Sequence, residues 1–174
     1  VLEHTINVDV VDEPFEIRSG ILIPPRHYSY SQFKPTLTTS EARPVSGSLW
    51  LRVGDFYSGH RTDHGVSVAW RPTRYFSTSA SYEHQEIHLR EGVFAVHHAT
   101  LRMTIAFSPE LTWGTVAQYD NLSQYVSFNS RVRWTWQPGN DVFFVVNQGW
   151  AYDMARFTRL GRDVILKVGA TFRF

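Results

Sequence analysis

The chain has 174 residues and a formal net charge of +1, one domain's worth of sequence with no bulk electrostatic pull toward nucleic acid. No run approaches the ~20 consecutive apolar residues that a membrane helix needs, and cysteine is absent, which excludes disulfides. Aromatic residues reach 15%, a content that suits an exported β protein in which one face of every strand is apolar. The chain begins at Val1 with no charged and then apolar leader, so an export signal is expected to have been removed or to lie upstream.

Taken in chain order, helical periodicity never persists, whereas alternation with period two recurs from the middle of the chain to its end. Leu49, Leu51 and Val53 alternate with Ser48 and Arg52. Phe76, Ala80 and Tyr82 alternate with Ser77, Ser79, Ser81 and Glu83. Leu101, Met103, Ile105 and Phe107 are set against Thr100, Arg102 and Thr104, and Val132, Trp134 and Trp136 against Arg131, Arg133 and Thr135. The last segment is the clearest: Val164, Leu166, Val168, Ala170, Phe172 and Phe174 are apolar, with Ile165, Lys167, Gly169, Thr171 and Arg173 between them. The class is therefore all-β. The pattern predicts an antiparallel up-and-down transmembrane β-barrel of about ten strands, the first two the least defined, with residues 1–174 forming one barrel domain or the C-terminal portion of a larger barrel.

The connections carry a second signal. Arg71-Pro72-Thr73-Arg74, Ser108-Pro109-Glu110-Leu111 and Gln137-Pro138-Gly139-Asn140 read as tight turns, the last with the Pro-Gly order of a type II turn. Longer polar connections are expected from Tyr57 to Gly65, His84 to Phe94, Asp120 to Tyr125 and Gln148 to Arg162. Alternating short and long loops match a barrel whose short turns, with the C-terminus, face the periplasm. Trp70, Phe76, Phe107, Trp113, Trp136, Phe172 and Phe174 all fall close to a tight turn or the chain end. They are expected to form one aromatic girdle at the headgroup level.

With the apolar face toward lipid, the opposite face looks inward, and Arg52, Arg102, Arg131, Arg133 and Lys167 give it a basic lumen wall, with Glu83 the main opposing acid. Arg71 and Arg173 lie nearer strand ends. Such a wall either attracts anions or closes into a salt-bridge network with neighbouring carboxylates. The eight histidines predict no metal site. His97 and His98 are adjacent on a strand and point to opposite faces, and His60 and His64 fall with Asp63 in an expected loop. No strand-turn-helix elbow or glycine-rich loop accompanies the serines, so neither catalysis nor a cofactor is expected.

Several stretches form an ordered set: Phe15-Glu16-Ile17 with Ile23-Pro24 and Tyr28; Arg43-Pro44; Gly54-Asp55-Phe56-Tyr57-Ser58-Gly59; Trp70-Arg71-Pro72; Gln118-Tyr119-Asp120-Asn121; and Arg133-Trp134-Thr135-Trp136-Gln137-Pro138-Gly139-Asn140-Asp141. In this set the chain resembles the C-terminal barrel region of a bacterial family of unknown function whose members commonly carry an N-terminal carbohydrate-binding-like module. The resemblance implies a location in the bacterial outer membrane and an upstream barrel segment. It implies no activity, and the binding module has no counterpart here.

The expected function is that of an outer-membrane channel, receptor or structural subunit of an envelope assembly, with the lipid bilayer, other envelope subunits and an anionic solute or glycan as partners, and no nucleic acid. The competing expectation is a soluble, lipocalin-like ligand-binding barrel or sandwich, in which Trp134, Trp136 and Phe172 would be enclosed.

Overall fold

The computed structural model describes residues 1–153 and 156–171. Among these residues lie twelve strands: β1 (Leu2–Val11), β2 (Phe15–Arg18), β3 (Ile21–Ile23), β4 (Arg26–Thr38), β5 (Val45–Phe56), β6 (Gly59–Thr73), β7 (Phe76–His88), β8 (Val93–Ala106), β9 (Leu111–Asp120), β10 (Tyr125–Gln137), β11 (Asn140–Asp153) and β12 (Arg156–Gly169). Ten of them form one antiparallel sheet in the order β1-β4-β5-β6-β7-β8-β9-β10-β11-β12, and β2 with β3 make a separate hairpin. Apart from that insertion each strand pairs with the next along the chain, which is the up-and-down order that the alternation predicts. The chain clusters into two compact units, Val1–Thr39, Ser48–Val66 and Glu83–His97 in one, and Ser40–Gly47, Ser67–Tyr82 and His98–Phe174 in the other.

In the first unit the pairing register sorts residues by face. His4 is opposite Phe33, Phe33 opposite Val53, and Leu37 opposite Leu49. Directly paired residues project to the same side, so these residues share a face with Ile6, Val8, Val10 and Leu51, and that face is exposed. The other face is where burial occurs. Tyr28 and Tyr30 of β4 and Ile87 and Leu89 pack with Ile21 and Ile23 of β3, and Val11, Ile17, Phe56, Tyr57 and Phe94 surround them. The β2–β3 hairpin supplies its isoleucines to this cluster. Gly20, at φ +81° in its turn, lets the chain reverse there. The Tyr30 hydroxyl donates to the Asp9 carboxylate at 2.6 Å. In the β5–β6 turn, burial and then the charge of Asp9 push the Tyr57 phenol above its usual range.

The second unit repeats the face rule without a buried cluster of this kind among the described residues. Along successive rungs, Ile105, Trp113 and Val132 are aligned, as are Leu101, Ala117 and Phe128, and Trp134, Val142 and Val168. Thr104, Gly114 and Arg131 align on the opposite face. The Pro138-Gly139 turn joins β10 to β11 with Gly139 at φ +87°, the sign a type II turn requires at its third residue.

Three of the four long connections expected from the sequence are overturned, while the stretch from Asp120 to Tyr125 is a turn between β9 and β10 as expected. Most of the stretches from Tyr57 to Gly65, His84 to Phe94 and Gln148 to Arg162 are strand, because β6 begins at Gly59, β7 runs to His88, β11 to Asp153 and β12 starts at Arg156. The cause is that a ladder is held by backbone groups, which pair regardless of side-chain polarity. Where both faces are polar the alternation disappears from a hydropathy reading while the strand continues. Loop-length alternation therefore does not distinguish the two ends of these strands.

Several glycines leave no room for a Cβ, Gly65 among them. A Cβ on Gly65 would lie 2.4 Å from the Trp50 indole, whereas a Cβ on Gly161 would meet nothing within 4 Å. Gly65→Ala is expected to destabilise the protein by about 1–3 kcal/mol through overpacking, and Gly161→Ala to be near neutral. Equilibrium urea unfolding followed by tryptophan fluorescence checks this; equal midpoints for the two variants would show that Trp50 moves aside at no cost.

Candidate functional site

The basic residues expected on one wall do share a face within the second unit. Arg102 on β8 pairs with Val116, and Arg131 and Arg133 on β10 pair with Gly114 and Thr112 toward β9 and with Val145 and Phe143 toward β11. Phe143 pairs in turn with Lys167 of β12. All are on the side opposite Leu101, Trp134 and Val168, since successive residues of a strand alternate. Arg133 is bound by Asp141, with Nε and Nη2 at 2.9 and 3.2 Å from the two carboxylate oxygens, and the Thr135 hydroxyl donates to the same carboxylate. Arg131 and Arg133 both lie over the Phe143 ring, each 5.9 Å from its centroid. Among the described residues no carboxylate stands within ion-pair distance of Arg102, Arg131 or Lys167. Among the described residues this face of the second unit keeps three cations without an ion pair.

Arg52 lies in the first unit and is compensated. Asp63 is 0% exposed and accepts from Arg61 Nη2 at 2.5 Å and Nε at 3.1 Å, and from Arg52 Nη1 at 3.4 Å. Gln85 accepts from Arg61 at 3.3 Å. The Trp50 ring sits beside this network with Lys34 Nζ 5.1 Å and the Arg52 guanidinium 5.7 Å from it. A buried carboxylate requires such compensation, since desolvation without partners costs several kcal/mol. Glu83, taken from the sequence as the main opposing acid, makes no ion pair among the described residues; Asp63 and Asp141 take that role. Asp63 was missed because β6 was read as a loop there. Arg61-Thr62-Asp63 carries the signal in its i, i+2 spacing on one strand face.

Of the girdle residues, Trp70 and Phe76 flank the β6–β7 turn with their rings edge to face at 5.6 Å. Phe107 is exposed beside the β8–β9 turn, and the Trp113 indole donates to the Ser130 hydroxyl at 2.8 Å. Trp136 sits at a bulge, its ring 6.3 Å from that of Trp134. Phe172 and Phe174 lie outside the described residues, as does Arg173. A further set of aromatics occupies the opposite ends of the strands: Tyr119 on β9, Trp150 and Tyr152 on β11 and Phe157 on β12, with the last two rings 5.0 Å apart. Trp150, Tyr152 and Phe157 fall within the connection expected from Gln148 to Arg162, which hides them from the sequence pattern.

His60 and His64 are on strand β6, not in a loop. They belong to a partly exposed row in the first unit, His60 stacked on His88 at 4.9 Å and His64 against His84 at 4.9 Å. His84 Nδ1 is 3.1 Å from His97 Nδ1, while His98 contacts Thr100 Oγ1 at 3.1 Å, so the neighbours His97 and His98 do project apart. No group of three or more histidine, cysteine or acidic side chains with metal-binding geometry occurs among the described residues. Asp120, on the rung of His98, accepts at Oδ1 from the Leu122 and Ser123 amides of its turn at 2.7 and 2.9 Å.

No family model matches the chain. No curated protein matches it. Among solved structures it is similar to a porin, NanC in a rhombohedral crystal form, at 10% identity and a TM-score of 0.42, over 99% of this chain and 93% of that one.

The two acid sites differ in burial, and their variants are expected to differ accordingly. Asp63→Asn leaves Arg61 and Arg52 facing a neutral amide and should cost about 3–5 kcal/mol. Asp141→Asn, at an exposed pair, should leave the urea midpoint close to that of the parent protein. An Asp63→Asn midpoint equal to that of the parent would overturn the assignment of Asp63 as the organising carboxylate.

Proposed function

We propose that this chain is the wall of a bacterial outer-membrane β-barrel, with its apolar face against lipid and its basic face lining a water-filled interior. The observation that carries this reading is the exposure of the apolar face. Leu101 and Trp134 are each 51% exposed and Trp136 38%, whereas the soluble alternative requires such residues to be enclosed. A contiguous face of this kind, rimmed by aromatics, is not tolerated in water and marks contact with an apolar phase. From Ala99 on β8 to Phe107 just past its end the apolar positions alternate onto one face, a stretch of roughly 26 Å. For a strand tilt of about 40° that is roughly 20 Å of height, close to the ~25 Å apolar band of outer-membrane barrels.

Within that setting we read the chain as non-catalytic: a channel or receptor whose interior favours anions, or a structural subunit of an envelope assembly. The three unpaired cations Arg102, Arg131 and Lys167 support the anion preference. The bilayer, an upstream barrel segment or other envelope subunits, and an anionic solute or glycan are the proposed partners. In the first unit the β2–β3 hairpin covers part of the polar face, which supports a partly closed interior there.

The register sharpens the test of polarity. Met103 lies midway along the stretch from Ala99 to Phe107, on the rung of Thr115, and is the mid-band probe. Met103→Arg is expected to cost about 2–4 kcal/mol in lipid vesicles, with little effect from Thr100→Arg on the other face. Lipid-borne quenchers should quench Trp134 fluorescence, the unboiled protein should migrate anomalously on a gel, and single-channel recordings should show anion preference. A monodisperse protein in detergent-free buffer sinks the membrane reading; a non-conducting barrel shifts the role to a structural subunit.

A further inference from the structure

On the polar face of the second unit, three neighbouring strands line one cavity of about 190 Å³: Ala69 and Arg71 from β6, Ser77, Thr78 and Ser79 from β7, and Arg102 and Thr104 from β8, with Ala69 and Arg71, Ser77 and Ser79, and Arg102 and Thr104 each spaced i, i+2. Residues at this spacing project to the same side of a strand, so the two guanidinium groups and the hydroxyls converge on one space. No carboxylate lines it. Arg71 Nη1 reaches the Glu41 carbonyl at 3.4 Å, which steadies the side chain and leaves most of its five donors uncommitted. Among the described residues the Arg102 guanidinium and the Ser77 and Ser79 hydroxyls have no hydrogen-bond partner in the chain; the backbone of Arg102 is held from below by the Thr78 hydroxyl, which donates to its carbonyl at 2.9 Å.

We infer that this cavity is an oxyanion subsite for the phosphate group of a small phosphate monoester. Two guanidinium forks with two or three hydroxyl donors from separate strands exceed what a planar carboxylate accepts in its own plane, whereas a tetrahedral dianion presents oxygens toward all three strands. The volume is that of a group-sized subsite, below the ~300 Å³ of a pocket for a whole drug-sized ligand. Room for the rest of the ester adjoins it. A cavity of about 260 Å³ shares Arg71, Ser77 and Thr104 and adds Arg74 and Tyr75, whose ring lies 4.7 Å from the Arg74 guanidinium.

The inference builds on the proposed water-facing wall, but its test reads binding and not conduction. Inorganic phosphate is titrated into the full chain in detergent micelles and followed by phosphorus NMR linewidth, with gel migration as the check of folding for every variant. Arg102→Gln is expected to weaken binding roughly tenfold, the loss of one charge-assisted interaction. The double variant Ser77→Ala with Ser79→Ala should weaken it about fivefold with no change in charge. Lys167→Gln, which removes the same charge from the wall away from the cavity, should cost about twofold or less. Equal losses in Arg102→Gln and Lys167→Gln, full affinity in the serine variant, or competition by acetate as strong as by phosphate would each overturn the subsite. A barrel that conducts anions yet binds no phosphate removes the subsite alone, and one that binds phosphate without conducting removes only the channel role.

Discussion

In an antiparallel ladder, residues directly opposite each other project to the same side, and each strand passes that assignment to its neighbour. A slip of one residue at any rung would turn every later side chain of that strand to the wrong face. Register is therefore the constraint on which the other features depend. It aligns Trp134 with Val142 and Val168, and it aligns Phe143 with both Arg133 and Lys167. The apolar surface and the basic surface are two outcomes of one set of backbone pairings. Neither is built from a sequence motif, which is why the chain has no local signature of a binding site and yet assembles one.

The two units differ in how the polar groups of their charged face are stabilised. In the first unit a fully buried carboxylate organises two arginines, and an inserted hairpin supplies the apolar cluster above them. In the second unit the arginines remain largely uncompensated, with aromatic stacking on Phe143 and a single exposed ion pair to Asp141. A screened pair at the surface contributes little to stability, so the second unit retains its cations at small energetic return from ion pairing. Groups kept without an intramolecular partner are the ones available to a solute.

The parts legible in the sequence were those where the two faces differ in polarity. From Leu101 to Phe107 and from Val132 to Trp136 the apolar and polar residues alternate cleanly, and the strands follow. The Pro138-Gly139 turn was legible because only a residue tolerant of positive φ fits its third position. The reading failed where both faces are polar: Gly59 to Gly65 and His84 to His88 extend the ladder in residues that hydropathy cannot sort, and so Asp63 and the histidine row were assigned to loops. The β2–β3 hairpin was missed for another reason. Its strands are short, and although Phe15, Ile17, Ile21 and Ile23 alternate around Ser19-Gly20, a two-turn alternation of that length is weak against the background. The converging i, i+2 pairs of β6, β7 and β8 were beyond a linear reading, because what joins Arg71 to Arg102 is the order of strands.

The hairpin also bears on how the chain is assembled in time. Pairing of β1 with β4 must close across residues 12–25, and the entropy of that closure is borne before the ladder rewards it. A small hairpin with a glycine turn forms on its own in about 1–10 μs, so the intervening segment is expected to be compact before the two long strands meet. Its isoleucines then offer Tyr28 and Tyr30 an apolar surface at the very start of β4, biasing the first rung to form beside the hairpin and the remainder of the ladder to zip away from it. The same residues that cover the polar face in the finished molecule would thus set the direction in which its sheet is laid down.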